Sequence, residues 1–136
     1  MFNDFILKFL NHNHRELETY SSSSLIPGED SLGGLTSLRR LNLGSNRLSA
    51  LPSSLFNRSN QLTELGLQNN SLAMLPTGVF GGLESLLVLN LSQNAITSHL
   101  LTRDTFRGMP SLQVQWLTNA LTIRSCDASL FVTVLT

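Results

Sequence analysis

The strongest constraint on this chain is a leucine pattern that returns at a regular step. Leu38, Leu62 and Leu86 are evenly spaced, and Leu112 follows after a slightly longer interval. Each of the first three opens the same pattern, Leu-x-x-Leu-x-Leu-x-x-Asn. The copies are Leu38, Leu41, Leu43, Asn46, then Leu62, Leu65, Leu67, Asn70, then Leu86, Leu89, Leu91, Asn94. An aliphatic residue comes two places later in each unit, as Leu48, Leu72 and Ile96. Leu51-Pro52 and Leu75-Pro76 then align, and so does one phenylalanine per unit, Phe56, Phe80 and Phe106. A chain with such a period must build the same short unit again and again and stack the copies.

The chemistry of the unit follows from its spacing. Leu-x-Leu has a period of two, so both leucines face one side of a short strand and the residues between them face solvent. Short parallel strands are predicted near 40–43, 64–67 and 88–91. Asparagine sits where the chain leaves the strand, and its amide can serve backbone groups of its own and the next unit. It follows that losing Asn70 should cost more stability than losing solvent-facing Asn69. Phenylalanine fills the far side of the coil, and proline after leucine keeps the return segment extended.

Three registered copies with an aligned phenylalanine resemble the leucine-rich repeat consensus. The resemblance covers roughly residues 32–121. It implies an α/β-type repeat solenoid with short parallel concave strands and mostly irregular or 3-10 convex segments. The stretch LLVLNLSQNAITSHLLTRDTFRGM, residues 86–109, is similar to Toll-type receptor ectodomains, in which some repeats are lengthened before a Thr-Phe segment. Here the interval from Ile96 to Phe106 is longer than that from Leu72 to Phe80. Slit-like, Nogo-receptor-like and proteoglycan-type proteins share much of the same consensus. The resemblance implies an extracellular or cell-surface parent protein that binds a protein ligand or co-receptor in innate-immune or developmental signal transduction.

The ends are less regular. Residues 1–24 match no repeat, and Ser21 to Ser24 have the composition of a flexible linker. They are expected to form an irregular leader that is dispensable and the first part cut by protease. Half a repeat occupies 25–37, where Leu32-Gly-Gly-Leu35 echoes Phe80-Gly-Gly-Leu83, but its strand is not recognisable. Full repeats are expected at 38–61, 62–85 and 86–111, a degenerate one at 112–121 and an irregular tail at 122–136. In the degenerate unit two frames stay open. One puts Gln115 and Ala120 where leucine and asparagine belong. The other, shifted by one residue, puts Val114, Trp116 and Asn119 there. Trp116 is core in the second frame and an exposed anchor in the first.

The repeat sorts exposed residues into columns across the strands. The first column is Arg40, Glu64, Val88 and Val114; the second Asn42, Gly66, Asn90 and Trp116; the third Gly44, Gln68, Ser92 and Thr118. Candidate partner-binding residues are therefore Arg40, Asn42, Glu64, Gln68, Val88, Asn90, Ser92 and Trp116. Arg40 and Glu64 are expected to pair across strands, which is more often a solvated surface pair than a functional one. Asn57, Asn69 and Asn90 head Asn-x-Ser sequons, candidate glycosylation sites if the chain enters the secretory pathway.

Other chemistries find little support. Nine basic and nine acidic residues cancel, so net charge provides no drive toward nucleic acid. His12, His14 and His99 lack further ligands to complete a metal set, and no cofactor motif or nucleophile elbow occurs. The chain is not expected to be an enzyme or to hold a cofactor. Asp4 and Lys8 interrupt the apolar start, so it is not taken as a secretion signal, and no stretch approaches the ~20 apolar residues of a membrane span. Cys126 is the single cysteine, so disulfide-bonded caps cannot form within the chain. The chain is accordingly expected to be a fragment of a longer receptor, with self-association a further expectation. An intracellular scaffold or adaptor, cytoplasmic, is the alternative.

Overall fold

The computed structural model describes residues 6–10, 16–20, 32, 35–97, 103–112 and 114–116, with side-chain surroundings for 32, 35–97 and 104–112. Six strands form one sheet in chain order: β1 (Ile6–Leu10), β2 (Glu16–Tyr20), β3 (Arg40–Asn42), β4 (Glu64–Gly66), β5 (Val88–Asn90) and β6 (Val114–Trp116). β2 to β6 pair in parallel, while β1 runs antiparallel to β2. The three strands predicted from the leucine period lie where it placed them. Between β3, β4 and β5 the connecting segments are turns, and a 3-10 turn at Arg103–Phe106 precedes β6.

The core is the repeat's leucines. Leu41, Leu65 and Leu89 stack in register at the strand centres, each at most 2% exposed. Leu43, Leu67 and Leu91 form a second buried row, and Leu38, Leu62 and Leu86 a third. Each fully buried leucine contributes roughly 1.5–3 kcal/mol. On the far side Phe56 and Phe80 are fully buried and stacked at 6.2 Å between centroids, and half-buried Phe106 continues the stack at 6.4 Å. Gly82 and Gly108 let these turns pack closely. A Cβ on Gly82 would stand 2.6 Å from the Phe56 carbonyl oxygen, and one on Gly108 would collide with that of Phe80.

Asparagine side chains tie the units together. Asn70 Nδ2 donates to Leu67 O at 3.0 Å in its own repeat and to Leu43 O at 2.9 Å in the preceding one. Its Oδ1 accepts from the Leu48 N–H at 3.0 Å. Asn94 repeats the set with Leu91, Leu67 and Leu72. The reach is thus to the preceding unit and not, as expected, to the next. The residue before each ladder asparagine, Ser45, Asn69 and Gln93, takes a positive φ of 57°, 54° and 55°. That left-handed turn swings the amide back beneath the strand.

The irregular leader expected at 1–24 is not what the structure shows. β1 and β2 form an antiparallel pair, and β2 pairs with β3 one full period upstream, Leu17 opposite Leu41. Glu16–Tyr20 is therefore the strand of the half repeat that precedes Leu38. Leu17 and Leu32 keep the period, Leu32 standing one repeat before Phe56 and likewise buried. The remaining pattern positions hold His14, Thr19, Ser22 and Ser24, which hid the strand. β2 also occupies the hydrogen-bonding edge of β3. The expectations on the tail at 122–136 lie outside the described residues.

Two outcomes test this fold. Asn70→Ala should lower unfolding free energy by at least about 1–3 kcal/mol, because buried carbonyls of two repeats lose their donor. Asn69→Gly should cost less than about 0.5 kcal/mol, since Asn69 is exposed and its φ suits glycine. Equal urea midpoints for the two would refute the ladder. Deleting residues 1–20 should lower the midpoint as well, and an unchanged midpoint would show that the β1–β2 pair is dispensable.

Candidate functional site

Alternation along the strands divides each one into a buried centre and two flanking residues on the opposite face. Arg40, Asn42, Glu64, Gly66, Val88 and Asn90 flank Leu41, Leu65 and Leu89, and all six are half-buried or exposed. Cross-strand register assembles the predicted columns: Arg40 beside Glu64 beside Val88, and Asn42 beside Gly66 beside Asn90. Gln68 and Ser92 lie two residues beyond the second column and are half-buried.

Arg40 Nε meets Glu64 Oε1 at 3.1 Å, with both side chains about half exposed at 57% and 47%. Solvent screening at that exposure limits the pair to about 0.2–1 kcal/mol. The pair is a solvated surface contact on the sheet face.

The centre of the face is an amide network. Asn42 Oδ1 accepts the Gly44 N–H at 2.9 Å and the Gln68 Nε2–H at 3.2 Å. Because that oxygen is already an acceptor, Gln68 must present its nitrogen there, which leaves Oε1 turned toward Gly66. Gln68 Oε1 is buried and has no hydrogen-bond partner among the described residues. The Gln68 side chain lies flat over two glycines. A Cβ on Gly44 would collide with its amide nitrogen, and one on Gly66 would stand 2.8 Å from Oε1. The glycines are the space that this side chain uses. In the next repeat Asn90 Oδ1 accepts both the Ser92 N–H at 3.0 Å and the Ser92 hydroxyl at 2.7 Å.

Trp116 lies in β6, whose register sets Val114 opposite Val88, Gln115 opposite Leu89 and Trp116 opposite Asn90. The strand keeps the unshifted frame. Trp116 therefore holds a position in the exposed column, and Gln115 holds the leucine position. Of the sequon asparagines, Asn57 and Asn69 are exposed, Asn69 Nδ2 donating to Ser45 Oγ at 3.1 Å, while Asn90 is half-buried within the face.

Residues 60–114 match the family model of the leucine rich repeat. The match covers the second and third repeats and reaches β6. No curated protein matches the chain. Leucine-rich repeats generally mediate protein–protein interaction. Among the described residues no group of His, Cys, Asp and Glu is arranged to hold a metal ion, and no helix is long and apolar enough to cross a membrane.

The glycine floor predicts a coupling within the sheet face. Gly44→Ala should destabilise by about 1 kcal/mol or more, since its methyl displaces Gln68 and breaks the bond to Asn42. Combining it with Gln68→Ala should recover part of that loss. A double-mutant cycle reads the coupling, and additivity within about 0.3 kcal/mol would mean that the two residues do not share this space.

Proposed function

We propose that this chain is a recognition module that binds another protein through the exposed face of its sheet, as a piece of a Toll-type receptor ectodomain acting at the cell surface. The observation that carries the reading is the separation of roles along each strand. Every described strand centre from β3 to β5 is a buried leucine, while the flanking positions differ from repeat to repeat: Arg40, Glu64, Val88, and Asn42, Gly66, Asn90. A surface whose residues vary on a fixed support is suited to selecting one partner among many. The lengthened segment before Thr105-Phe106 and the strand sequence Leu89-Asn90-Leu91-Ser92 support the Toll-type origin. In that setting Asn57 and Asn69 are the glycan acceptors, because both lie exposed outside the sheet face. The chain carries out no catalysis in this reading and holds no cofactor.

An intracellular scaffold is the second reading. The single cysteine favours it, because extracellular repeat proteins commonly close their ends with disulfide-bonded modules.

Two measurements separate these readings. Antibody to the chain should label intact, unpermeabilised cells that express its gene, and glycosidase should increase the gel mobility of the product; labelling only after permeabilisation selects the scaffold. A photo-crosslinking amino acid at Asn42 or Ser92 should trap one protein that the same group at Arg58 or Met74 does not. Equal trapping from both pairs would refute recognition through the sheet.

A further inference from the structure

From β3 to β5 the middle column of the face reads Asn42, Gly66, Asn90. The two asparagines are two strands apart, about 10 Å at ~4.8 Å per strand, and the glycine puts no side chain between them. A glycine inside a strand is a place where another backbone can come close. One neighbour covers this gap. Gln68 folds back over Gly66 toward Asn42, and its Oε1 and Asn42 Oδ1 each stand 2.8 Å from where a Cβ on Gly66 would be. The cover is lightly held. Its one hydrogen bond, at 3.2 Å, goes to an Asn42 oxygen that already accepts the Gly44 N–H. In exchange Gln68 Oε1 is shut off from water with no partner among the described residues. A buried acceptor left unmade costs at least as much as one such bond contributes. Across the gap, Asn90 Oδ1 is taken by the Ser92 N–H and hydroxyl, while Asn90 Nδ2 donates to no described residue.

We propose that Gln68 is a movable cover on the face, and that a main-chain peptide group of the partner protein replaces it over Gly66. The peptide N–H donates to Gln68 Oε1, and the peptide carbonyl accepts from Asn90 Nδ2. Turning outward costs Gln68 its single long bond to Asn42 and gives the stranded oxygen a donor. The floor it leaves is Gly44 and Gly66, which a backbone can approach without meeting a side chain. The occupant is a peptide group because of what borders the gap. Asn42, Gln68 and Asn90 carry no charge, and the nearest ionic groups, Arg40 and Glu64, already neutralise each other at 3.1 Å. The gap offers one unused acceptor and one unused donor, on opposite sides of Gly66, which is the complement of one N–H and one C=O.

The proposal rests on protein recognition through the sheet face, and peptides selected from a random dodecamer library on the full chain test the two separately. Face binders are those that Val88→Ser or Ser92→Ala weakens. In such a peptide the main-chain nitrogens are methylated one at a time. At one position methylation should weaken binding about tenfold, and Gln68→Met, which keeps length and loses the acceptor, should weaken the parent peptide about equally. That methylation penalty should vanish in Gln68→Met, because both changes remove the same bond. Gly66→Ala should cost tenfold or more, since its methyl lies in the path of the backbone. If either variant does not fold, the other decides. Methylation penalties that all persist in Gln68→Met, or full binding to Gly66→Ala, overturn the proposal and leave sheet-face recognition standing. Selected peptides that bind the Val88→Ser and Ser92→Ala chains as well as the parent, or no enrichment at all, overturn both.

Discussion

The structure depends on one side chain used repeatedly. A strand as short as β4 or β5 makes too few backbone hydrogen bonds to hold its place, and the turn after it leaves carbonyls pointing inward. Asn70 and Asn94 resolve both problems with one amide each, donating to carbonyls of two successive repeats and accepting from the N–H of Leu48 or Leu72. No other neutral side chain of this length offers two donors and an acceptor in one plane. The leucine rows add burial energy without direction. The amides fix the rise from one repeat to the next, and so hold the leucines in register.

The positive φ at Ser45, Asn69 and Gln93 belongs to the same device. Only one of the three is a residue that favours the left-handed region, so the conformation is imposed by the turn and not by local preference. Tertiary bonding on either side, Ser45 N–H to Gln68 O and Asn69 N–H to Ser92 O at 2.9 Å each, offsets the local cost.

Much of this was legible in the leucine period because the period states the physics directly. Alternation gives the strand, the even spacing of Leu38, Leu62 and Leu86 gives the step, and phenylalanine gives the far side. What failed to show had lost the letters and kept the geometry. β2 retains only Leu17 of its strand leucines, and threonine and serine fill the places where the pattern was sought. In β6 the side chains argued for a shift of one residue that would spare a leucine site from Gln115. The backbone ladder to β5 kept its register instead, since a slip of one would reverse every side chain on the strand. The columns of the face were legible, but the Asn42–Gln68 contact was not. It joins two different repeats and depends on two glycines whose meaning lies in a neighbour's side chain.

The alternation within β3 to β5 has a consequence for inheritance. A change at Glu64 or Val88 alters what the face offers without touching Leu65 or Leu89, because the two sets of atoms lie on opposite sides of one backbone. Duplicating a single unit copies the support intact and supplies a fresh pair of face positions. Lineages of such chains can therefore explore new surfaces by ordinary point mutation and unequal recombination, while the fold is transmitted almost unread.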